Sequence, residues 1–435
     1  MREKKRIAFE TLGCKLNYAE TSAIARRIDG FERVDFRMPA DVYVINTCTV
    51  TAQAERKLKE LVRRVKRRNP SAKVVALGCM AQRDPETTLS IDGVDLVLGI
   101  SEKFRLNKYL PGLLEGKIGG IMNDEPAQGH LFLPAFSSGD RTRAFLKVQD
   151  GCDYPCTYCV IPEARGQGRN PSIESLVEQA REIARSDIKE IVITGVNIGT
   201  FVDNSGGKTR KFIDLIRALD EVEGIERYRI SSIEPNLLTD EMIAFVLKQS
   251  RAFLPHFHIP LQSGSNEVLR KMRRRYRREL YREKVEKIKT LNPDAAVGVD
   301  VIVGFPGESD ALFRETYTFL KDLDVSYLHV FSYSDRPGTI ASTMQKKVPV
   351  SIKRQRSKLL RELSVRKQLL FSESQSGSMR TVLFERSEKE GKMYGFTENY
   401  IRVSAPFDER FINRSVRVLL KGRHGDTVEG KILES

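Results

Sequence analysis

The alternation of apolar and polar positions divides the chain into three stretches. In the first stretch, short apolar runs alternate with helix-like segments, which is typical of a parallel sheet with crossover helices. The predicted strands are Arg6–Phe9, Asp41–Ile45, Lys73–Leu77 and Val94–Gly99. We therefore expect an α/β fold that begins with an open parallel sheet domain, residues 1–119.

The second stretch follows an aperiodic linker at 121–143, and strands again alternate with helices. Its predicted strands are Ala144–Val148, Glu190–Ile193, Arg227–Ile230, His256–Ile259, Val297–Val303 and Tyr327–Phe331. Six units are too few for a closed eight-stranded β/α barrel. A basic, helix-patterned segment, 346–371, completes this second domain, residues 135–370.

The third stretch, 371–435, has five short strands separated by turn residues, a pattern that predicts a small closed β-barrel. Basic and aromatic side chains alternate along it: Arg380, Tyr394, Phe396, Tyr400, Arg402 and Arg417. Such side chains suit stacking and phosphate contacts with RNA. The alternative is a purely structural barrel.

A group of three cysteines, Cys152, Cys156 and Cys159, has three and then two intervening residues. A structural zinc ion needs four nitrogen or sulfur ligands, and no further cysteine or histidine lies close by in the sequence. Three thiolates can instead hold three irons of a four-iron cluster and leave the fourth iron open. The alternatives are an incomplete zinc knuckle or a group of buried thiols.

The other three cysteines, Cys14, Cys48 and Cys79, each follow the carboxyl end of a predicted strand. Ligands bind at that edge of an open α/β sheet, so we expect these thiols to converge. Small buried residues at strand ends are the alternative. Because the two groups account for all six cysteines, we favour a second three-cysteine cluster with an open iron.

Composition narrows the class of protein. The formal net charge is +15 and the pI is near 9.5, which favours a polyanionic partner, and nucleic acid before lipid. We find neither a signal peptide nor an apolar run of about 18 residues, so we expect no membrane partner. A cytoplasmic location is expected, where cysteines stay reduced and serve as ligands.

The motif from Gly151 to Cys159, with Tyr158 as the aromatic residue before the last cysteine, resembles the radical S-adenosylmethionine (SAM) superfamily. The resemblance implies a partial (β/α)6 TIM-like barrel. It also implies a 4Fe-4S cluster whose open iron is chelated by the amino and carboxylate groups of SAM. In that superfamily, an electron from the cluster cleaves SAM to give a 5′-deoxyadenosyl radical.

Over its whole length the chain resembles the radical SAM methylthiotransferases. The resemblance implies an N-terminal methylthiotransferase domain with Cys14, Cys48 and Cys79, a radical SAM core and a C-terminal TRAM domain, an OB-like barrel. Thr11–Asn17 is similar to the branch that acts on N6-threonylcarbamoyladenosine in tRNA. After Arg165 the sequence departs from the usual family pattern, so no role is carried over beyond Arg165.

This resemblance implies the reaction and its partners. The expected product is the 2-methylthio derivative of N6-threonylcarbamoyladenosine at position 37, in the anticodon stem-loop of tRNA. The expected cofactors are two 4Fe-4S clusters and SAM, and the expected electron donor is a low-potential protein such as flavodoxin or ferredoxin. An adenine C2–H is neither acidic nor a leaving group, so a base or a nucleophile cannot place sulfur there and a carbon-centred radical is required. The six cysteines would hold the clusters that carry this chemistry.

Polar and glycine residues follow the predicted barrel strands, where the active site of such a barrel lies. We predict that the following residues bind the cofactor: Tyr158, Gly195, Asn197, Ser232, Glu234, Gln262, Gly304 and Phe331. Taken singly, each loop residue could belong to an ordinary turn. For the barrel histidines, His256, His258 and His329, we expect hydrogen bonds and assign no metal.

Two other functions remain open. The same chemistry could act on isopentenyladenosine in tRNA or on an aspartate of a ribosomal protein. A non-catalytic iron–sulfur RNA-binding protein belongs to another class, but it would require four protein ligands for each cluster.

Overall fold

The computed structural model describes residues 4–123, 132–139 and 142–433, so parts of the predicted linker, 124–131 and 140–141, lie outside the described residues. The chain forms two compact units. The first contains residues 1–137, 145–171 and 336–339, and the second contains residues 138–144, 172–335 and 340–435.

The first unit is built on a six-stranded sheet in which every neighbouring pair is parallel. Its strands, in the spatial order β2-β1-β3-β4-β5-β6, are β1 (Lys5–Thr11), β2 (Phe31–Val34), β3 (Val42–Thr47), β4 (Lys73–Gly78), β5 (Leu96–Leu98) and β6 (Gly120–Met122). The four predicted strands are confirmed. The short edge strands β2 and β6 were not predicted, since they are not fully buried and carry little apolar signal.

The helices of this unit are α1 (Lys15–Arg26), α2 (Ala52–Arg68), α3 (Cys79–Arg83), α4 (Pro85–Leu89), α5 (Leu106–Leu114) and α6 (Ile161–Arg165). The helix α2 begins after Thr51, whose side chain accepts a hydrogen bond from the N–H of Ala54. Its apolar face, with Leu58 and Leu61, is buried in the core, and its basic residues cover the other faces.

The second unit contains a partial barrel. Its strands are β7 (Arg143–Lys147), of which only the first two residues belong to this unit, β8 (Glu190–Thr194), β9 (Val202–Asp203), β10 (Arg210–Lys211), β11 (Arg227–Ile230), β12 (His256–Gln262), β13 (Ala296–Val303) and β14 (Tyr327–Ser332). They form the sheets β11-β8-β7 and β12-β13-β14 and a small β9-β10 hairpin. An isolated bridge joins Tyr228 of β11 to Phe253, three residues before β12. All six predicted barrel strands are confirmed.

Helices alternate with these strands. They are α7 (Ile173–Ala184), α8 (Phe212–Asp220), α9 (Asp240–Ala244), α10 (Asn266–Lys271), α11 (Arg278–Leu291), α12 (Asp310–Asp322), α13 (Ile340–Thr343) and α14 (Val350–Glu373). Ser364 on α14 donates to the carbonyl of Leu328 (3.0 Å) and accepts from its N–H (2.9 Å). Helix α14 therefore covers the outer edge of β14, a position where a strand would otherwise be unpaired.

The C-terminal strands close a five-stranded barrel, as predicted. They are β15 (Met379–Lys389), β16 (Lys392–Thr397), β17 (Arg402–Pro406), β18 (Ser415–His424) and β19 (Thr427–Ile432), in the order β15-β16-β17-β19-β18. The buried side chains of Val382, Phe384, Met393 and Val403 lie in its core.

Some of the residues predicted to face RNA instead attach this small barrel to the partial barrel. The Tyr400 ring stacks on His256 with 4.2 Å between the ring centroids, and Phe396 lies between Tyr400 and Arg143. Arg380 pairs with Asp294 at 2.6 Å. The side chains of Arg380, Phe396 and Tyr400 thus make contacts within the unit, and their predicted contact with RNA stays a prediction.

A buried arginine completes this attachment. Arg229 of β11 pairs with Glu190 at 2.9 Å and donates to the carbonyl oxygens of Thr397 (2.7 Å) and Glu398 (3.0 Å).

Among the residues that the structure describes, no helix is long and apolar enough to cross a membrane.

Candidate active site

Three cysteines far apart in sequence are brought to one edge of the first sheet. Cys14 immediately precedes α1, Cys48 follows β3, and Cys79 is the first residue of α3. Cys14 is exposed, Cys48 is partly buried and Cys79 is buried. A Cβ atom at Gly13 would lie 3.0 Å from the sulfur of Cys48, so a glycine before Cys14 lets the two loops approach closely.

The three thiols lie within electrostatic reach of one another. Burial, together with the charges of Cys79 and Cys14, raises the pKa of Cys48 to about 12. Burial also raises the pKa of Cys79, although Arg165 and Lys103 oppose that shift. A metal that binds here must displace protons from these thiols. The predicted convergence of the three cysteines is present in the structure.

The second group of cysteines lies on the loop that follows β7. The N–H of Tyr154 donates to the sulfur of Cys152 (3.4 Å), and the N–H of Ile161 donates to the sulfur of Cys159 (3.5 Å). Hydrogen bonds to sulfur stabilise thiolates and tune the potential of iron–sulfur clusters. A cavity of about 920 Å³ lies against this loop, beside Cys152 and Tyr154.

The loop also depends on one glycine. Gly151 has a φ of +70°, and a Cβ there would lie 1.9 Å from the carbonyl oxygen of Gln167. The chain therefore turns back at Gly151 and is held by a hydrogen bond from the N–H of Cys152 to the carbonyl of Gly166 (3.1 Å). No other residue type fits this position without moving the loop.

Neither group of cysteines is arranged for a single ion. Sulfur ligands on one tetrahedral zinc lie about 3.8 Å apart, since each zinc–sulfur bond is about 2.3 Å. Within the described ranges, no three cysteine sulfurs lie within 4.8 Å of one another. In the group of Cys152, Cys156 and Cys159, this wider spacing and the N–H groups directed at two of the sulfurs fit a multi-iron cluster better than an incomplete zinc knuckle.

Arg165 joins the two groups of cysteines. It ends α6, shortly after Cys159, and its side chain is 1% exposed. Its Nε donates to the sulfur of Cys79 at 3.3 Å, and its Nη2 donates to Asn17 at 2.6 Å. The guanidinium also forms hydrogen bonds to Glu20 (3.0 and 3.1 Å) and to Asp150 (2.8 Å).

Two buried lysines complete this charged cluster. Lys103 contacts Glu20 at 2.6 Å, and Lys147 contacts both Glu20 (2.9 Å) and Asp150 (2.7 Å). Burial alone would raise the pKa of Glu20, but the charges of Arg165, Lys103 and Lys147 hold that pKa well below its usual range. Three buried cations thus face two carboxylates, and the partly buried Arg169 also pairs with Asp150 at 3.1 Å, so positive charge is in excess beside Cys79.

Sequence patterns do not predict most of this cluster. Arg165 stands out only through its match to the family motif, and nothing in the sequence singles out Glu20, Lys103 or Asp150. Lys147 stands in an otherwise apolar predicted strand, Ala144–Val148, and that interruption was the one available signal.

The residues predicted to bind the cofactor fall in both units. Tyr158 lies on the cysteine loop of the first unit. The others lie in the second unit, at or beyond the carboxyl halves of five barrel strands: Gly195 and Asn197 after β8, Ser232 and Glu234 after β11, Gln262 at the end of β12, Gly304 after β13 and Phe331 within β14. In β/α barrels the active site lies at the carboxyl ends of the strands, where these residues are found. Their role in binding SAM stays a prediction.

Some of these residues have distinctive local structure. Gln262 has a φ of +66° and Gly304 a φ of +77°. Burial raises the pKa of Glu234, although its partner Arg274 opposes that shift. Phe331 is 47% exposed, so its ring is available to a ligand.

The barrel histidines form hydrogen bonds, as expected. His256 contacts the hydroxyl of Tyr327 (2.8 Å), and His258 contacts Asp300 (2.8 Å), which also lies 3.3 Å from His329. Burial opposes the ionisation of Asp300, but the two histidines hold its pKa well below the usual range. Hydrogen bonding accounts for this arrangement, and we assign no metal to it.

Comparison with known proteins agrees with this geometry. Residues 146–320 match the radical SAM superfamily, and residues 6–99 match a family described as uncharacterized protein family UPF0004. The structure is also similar to that of TsrM from Kitasatospora setae, a radical S-adenosylmethionine methyltransferase, with a TM-score of 0.55 and 14% identity over 78% of this chain and 77% of that one. This last likeness concerns the fold alone. The fold and the cysteine loop thus define a radical SAM enzyme.

Two relatives narrow the class. The chain is 41% identical to the threonylcarbamoyladenosine tRNA methylthiotransferase MtaB of Bacillus subtilis, over 95% of this chain and 93% of the relative. It is 39% identical to the protein of the same name from Aquifex aeolicus, over 95% of this chain and 100% of the relative. The chain belongs to the family of threonylcarbamoyladenosine tRNA methylthiotransferases.

Glu20→Gln tests the buried cluster. In iron-free protein at pH 7, this change should lower the free energy of unfolding by about 3–5 kcal/mol, because it leaves buried cations without their partner. Unfolded Glu20 takes up a proton near pH 4.5, and the folded protein does so only at lower pH. The stability difference between wild type and variant should therefore shrink as the pH falls below 4.5.

Chemical denaturation at several pH values measures this difference. Glu115→Gln is the control, since Glu115 is exposed and pairs with the exposed Lys117; it should cost less than about 1 kcal/mol. A Glu20→Gln variant that behaved like this control would contradict the assignment.

Proposed function

We propose that this protein transfers a methylthio group to C2 of N6-threonylcarbamoyladenosine at position 37 of tRNA, in the cytoplasm. The product is 2-methylthio-N6-threonylcarbamoyladenosine. The observation that carries the proposal is the presence of two three-cysteine sites in one compact unit, joined by Arg165. A protein that only stored electrons or bound RNA would require no site with a missing ligand, let alone two.

Each cysteine group has its own part in the proposal. Cys152, Cys156 and Cys159 would hold a 4Fe-4S cluster and leave one iron for the amino and carboxylate groups of SAM. Cys14, Cys48 and Cys79 would hold a second 4Fe-4S cluster. When bound, the two clusters and SAM supply the radical that an unreactive C2–H bond requires and the sulfur that replaces the hydrogen.

The protein's own residues set the environment of these cofactors. Arg165 fixes Cys79 through its Nε and places a positive charge beside the thiolate ligands, which favours an anionic cluster. The same guanidinium holds Asp150, two residues before Cys152, so the loop and the first sheet keep one geometry. We assign the contacts with SAM to Tyr158 and to the barrel residues that end β8, β11, β12, β13 and β14.

RNA is the polyanion in this proposal. The net charge of +15 and the closed C-terminal barrel support it. On that barrel Arg402 and Arg417 stay exposed, and Arg402 lies over the ring of Tyr394 at 5.0 Å. A loop base suits the reaction, since an unstacked base can enter a pocket, whereas a base inside an A-form helix cannot. The electron would come from a low-potential carrier such as flavodoxin or ferredoxin.

Iron content tests the two clusters. Protein reconstituted without oxygen should contain about eight irons per chain if each group binds a four-iron cluster. Replacing Cys152, Cys156 and Cys159 with alanine should halve the iron and abolish SAM cleavage. Replacing Cys14, Cys48 and Cys79 should also halve the iron but leave reductive SAM cleavage measurable. Full iron in this second variant would exclude the N-terminal cluster.

A comparison of substrates tests the reaction. The reduced enzyme, SAM and a sulfur source are incubated separately with tRNA carrying threonylcarbamoyladenosine, tRNA carrying isopentenyladenosine, and the ribosomal protein. Mass spectrometry should find the methylthio group on the first substrate. If it appears only on one of the other two, the substrate assignment is wrong and the radical chemistry stands.

A further inference from the structure

A groove on the second unit lies between helix α14 and the end of strand β14. Its volume is about 780 Å³, and it is lined by Ser332 of β14 and, on α14, by Arg354, Lys358, Arg361, Val365 and Arg366. Positions 354, 358, 361 and 365 lie on one face of the helix. From Arg354 to Val365 this face is about 16 Å long, at about 1.5 Å per residue, and Arg366 lines the groove from beside it. The basic surface of the groove is therefore long enough to contact several nucleotides of a nucleic-acid backbone.

The arginines of the groove have no carboxylate partner among the described residues. Arg354, Arg361 and Arg366 are exposed, and within the described ranges none of them lies within 4.0 Å of a carboxylate. The one carboxylate in the lining, Glu362, pairs with Lys358 at 4.0 Å. By contrast, Arg356, a buried residue of the same helix, pairs with Glu308 and Asp310. The groove thus holds uncompensated positive charge at its surface.

The groove lies beside the carboxyl end of the barrel strand β14. The hydroxyls of Ser332 and Ser357 contact each other at 2.9 Å, which fixes α14 against the carboxyl end of β14. On the same strand, His329 and Phe331 have exposed side chains on the opposite face. A strand rises about 3.3 Å per residue, so both side chains lie within about 10 Å of Ser332 along the strand. A strand of RNA in the groove would pass beside the substrate end of the barrel.

We propose that this groove binds the phosphate backbone of the substrate tRNA, with Arg354, Arg361 and Arg366 as its phosphate contacts. The inference rests on the proposed function, and it adds an RNA-binding surface outside the C-terminal barrel. Arginine suits this use because its planar fork of N–H groups contacts phosphate oxygens in pairs. The helix α2 is also basic, but its charged side chains cover the outside of a helix, whereas those of α14 line a concave surface.

The test compares three variants with wild type. The first replaces Arg354, Arg361 and Arg366 with glutamine, and the second replaces the same residues with lysine, which keeps the charge. The control replaces Arg181, Arg185 and Lys248 with glutamine, three exposed basic residues elsewhere in the unit. Circular dichroism and melting temperature confirm that each protein is folded.

Binding of tRNA carrying threonylcarbamoyladenosine is measured over a range of salt concentrations. For the glutamine variant we expect a loss of affinity of roughly ten- to a hundredfold at low salt. The slope of log affinity against log salt should fall in magnitude by about 2–3, or about 0.7–0.9 for each lost phosphate contact. The lysine variant should keep most of the affinity, the control should match wild type, and reductive SAM cleavage without RNA should be unchanged in all of them.

Two results would overturn the inference. One is a glutamine variant with the affinity and salt slope of wild type. The other is normal tRNA binding combined with a loss of activity only when an acidic electron-carrier protein replaces dithionite as reductant, which would assign the groove to that carrier. If wild type binds the tRNA but methylthiolates another substrate, the proposed function is wrong, and the binding comparison still decides the role of the groove.

Discussion

The buried guanidinium of Arg165 is the constraint on which the first unit depends. A buried charge costs several kcal/mol unless it is paired and fully hydrogen-bonded, and Arg165 meets that condition with partners from three parts of the chain. Asn17 and Glu20 lie on the helix after Cys14, Cys79 begins another helix, and Asp150 precedes the cysteine loop. Satisfying one side chain therefore brings both cysteine groups into one unit.

The same charges prepare the N-terminal cysteines for an anionic ligand. Protonated thiols are favoured there in the absence of metal, because burial raises the pKa of Cys48 and Cys79. The excess positive charge of Arg165, Lys103 and Lys147 over their carboxylate partners favours the thiolates once a metal replaces the protons. The cluster of charges is thus both a structural joint and part of the electrostatic environment of the site.

Local patterns predicted the elements and the positions of the thiols. The six barrel strands and the five C-terminal strands follow from alternating apolar residues and turns, and Cys14, Cys48 and Cys79 could be placed because parallel strands end at one edge. The buried charges could not be predicted, since Glu20 and Lys103 pair over a long sequence separation and leave no periodic signal. The contacts of Tyr400 with His256 and of Arg380 with Asp294 could not be predicted either, because alternation along a strand does not show which side chains pack against the partial barrel.

The central claim concerns what the two cysteine groups do together, and nucleoside analysis of cellular tRNA tests it most directly. In a host lacking the gene for this chain, mass spectrometry should show that 2-methylthio-N6-threonylcarbamoyladenosine is lost and that its unmethylthiolated precursor accumulates. The wild-type gene should restore the modified nucleoside, and a gene with alanine in place of either cysteine group should not. An unchanged level of the methylthio nucleoside without the gene, or its restoration by either alanine variant, would contradict the account.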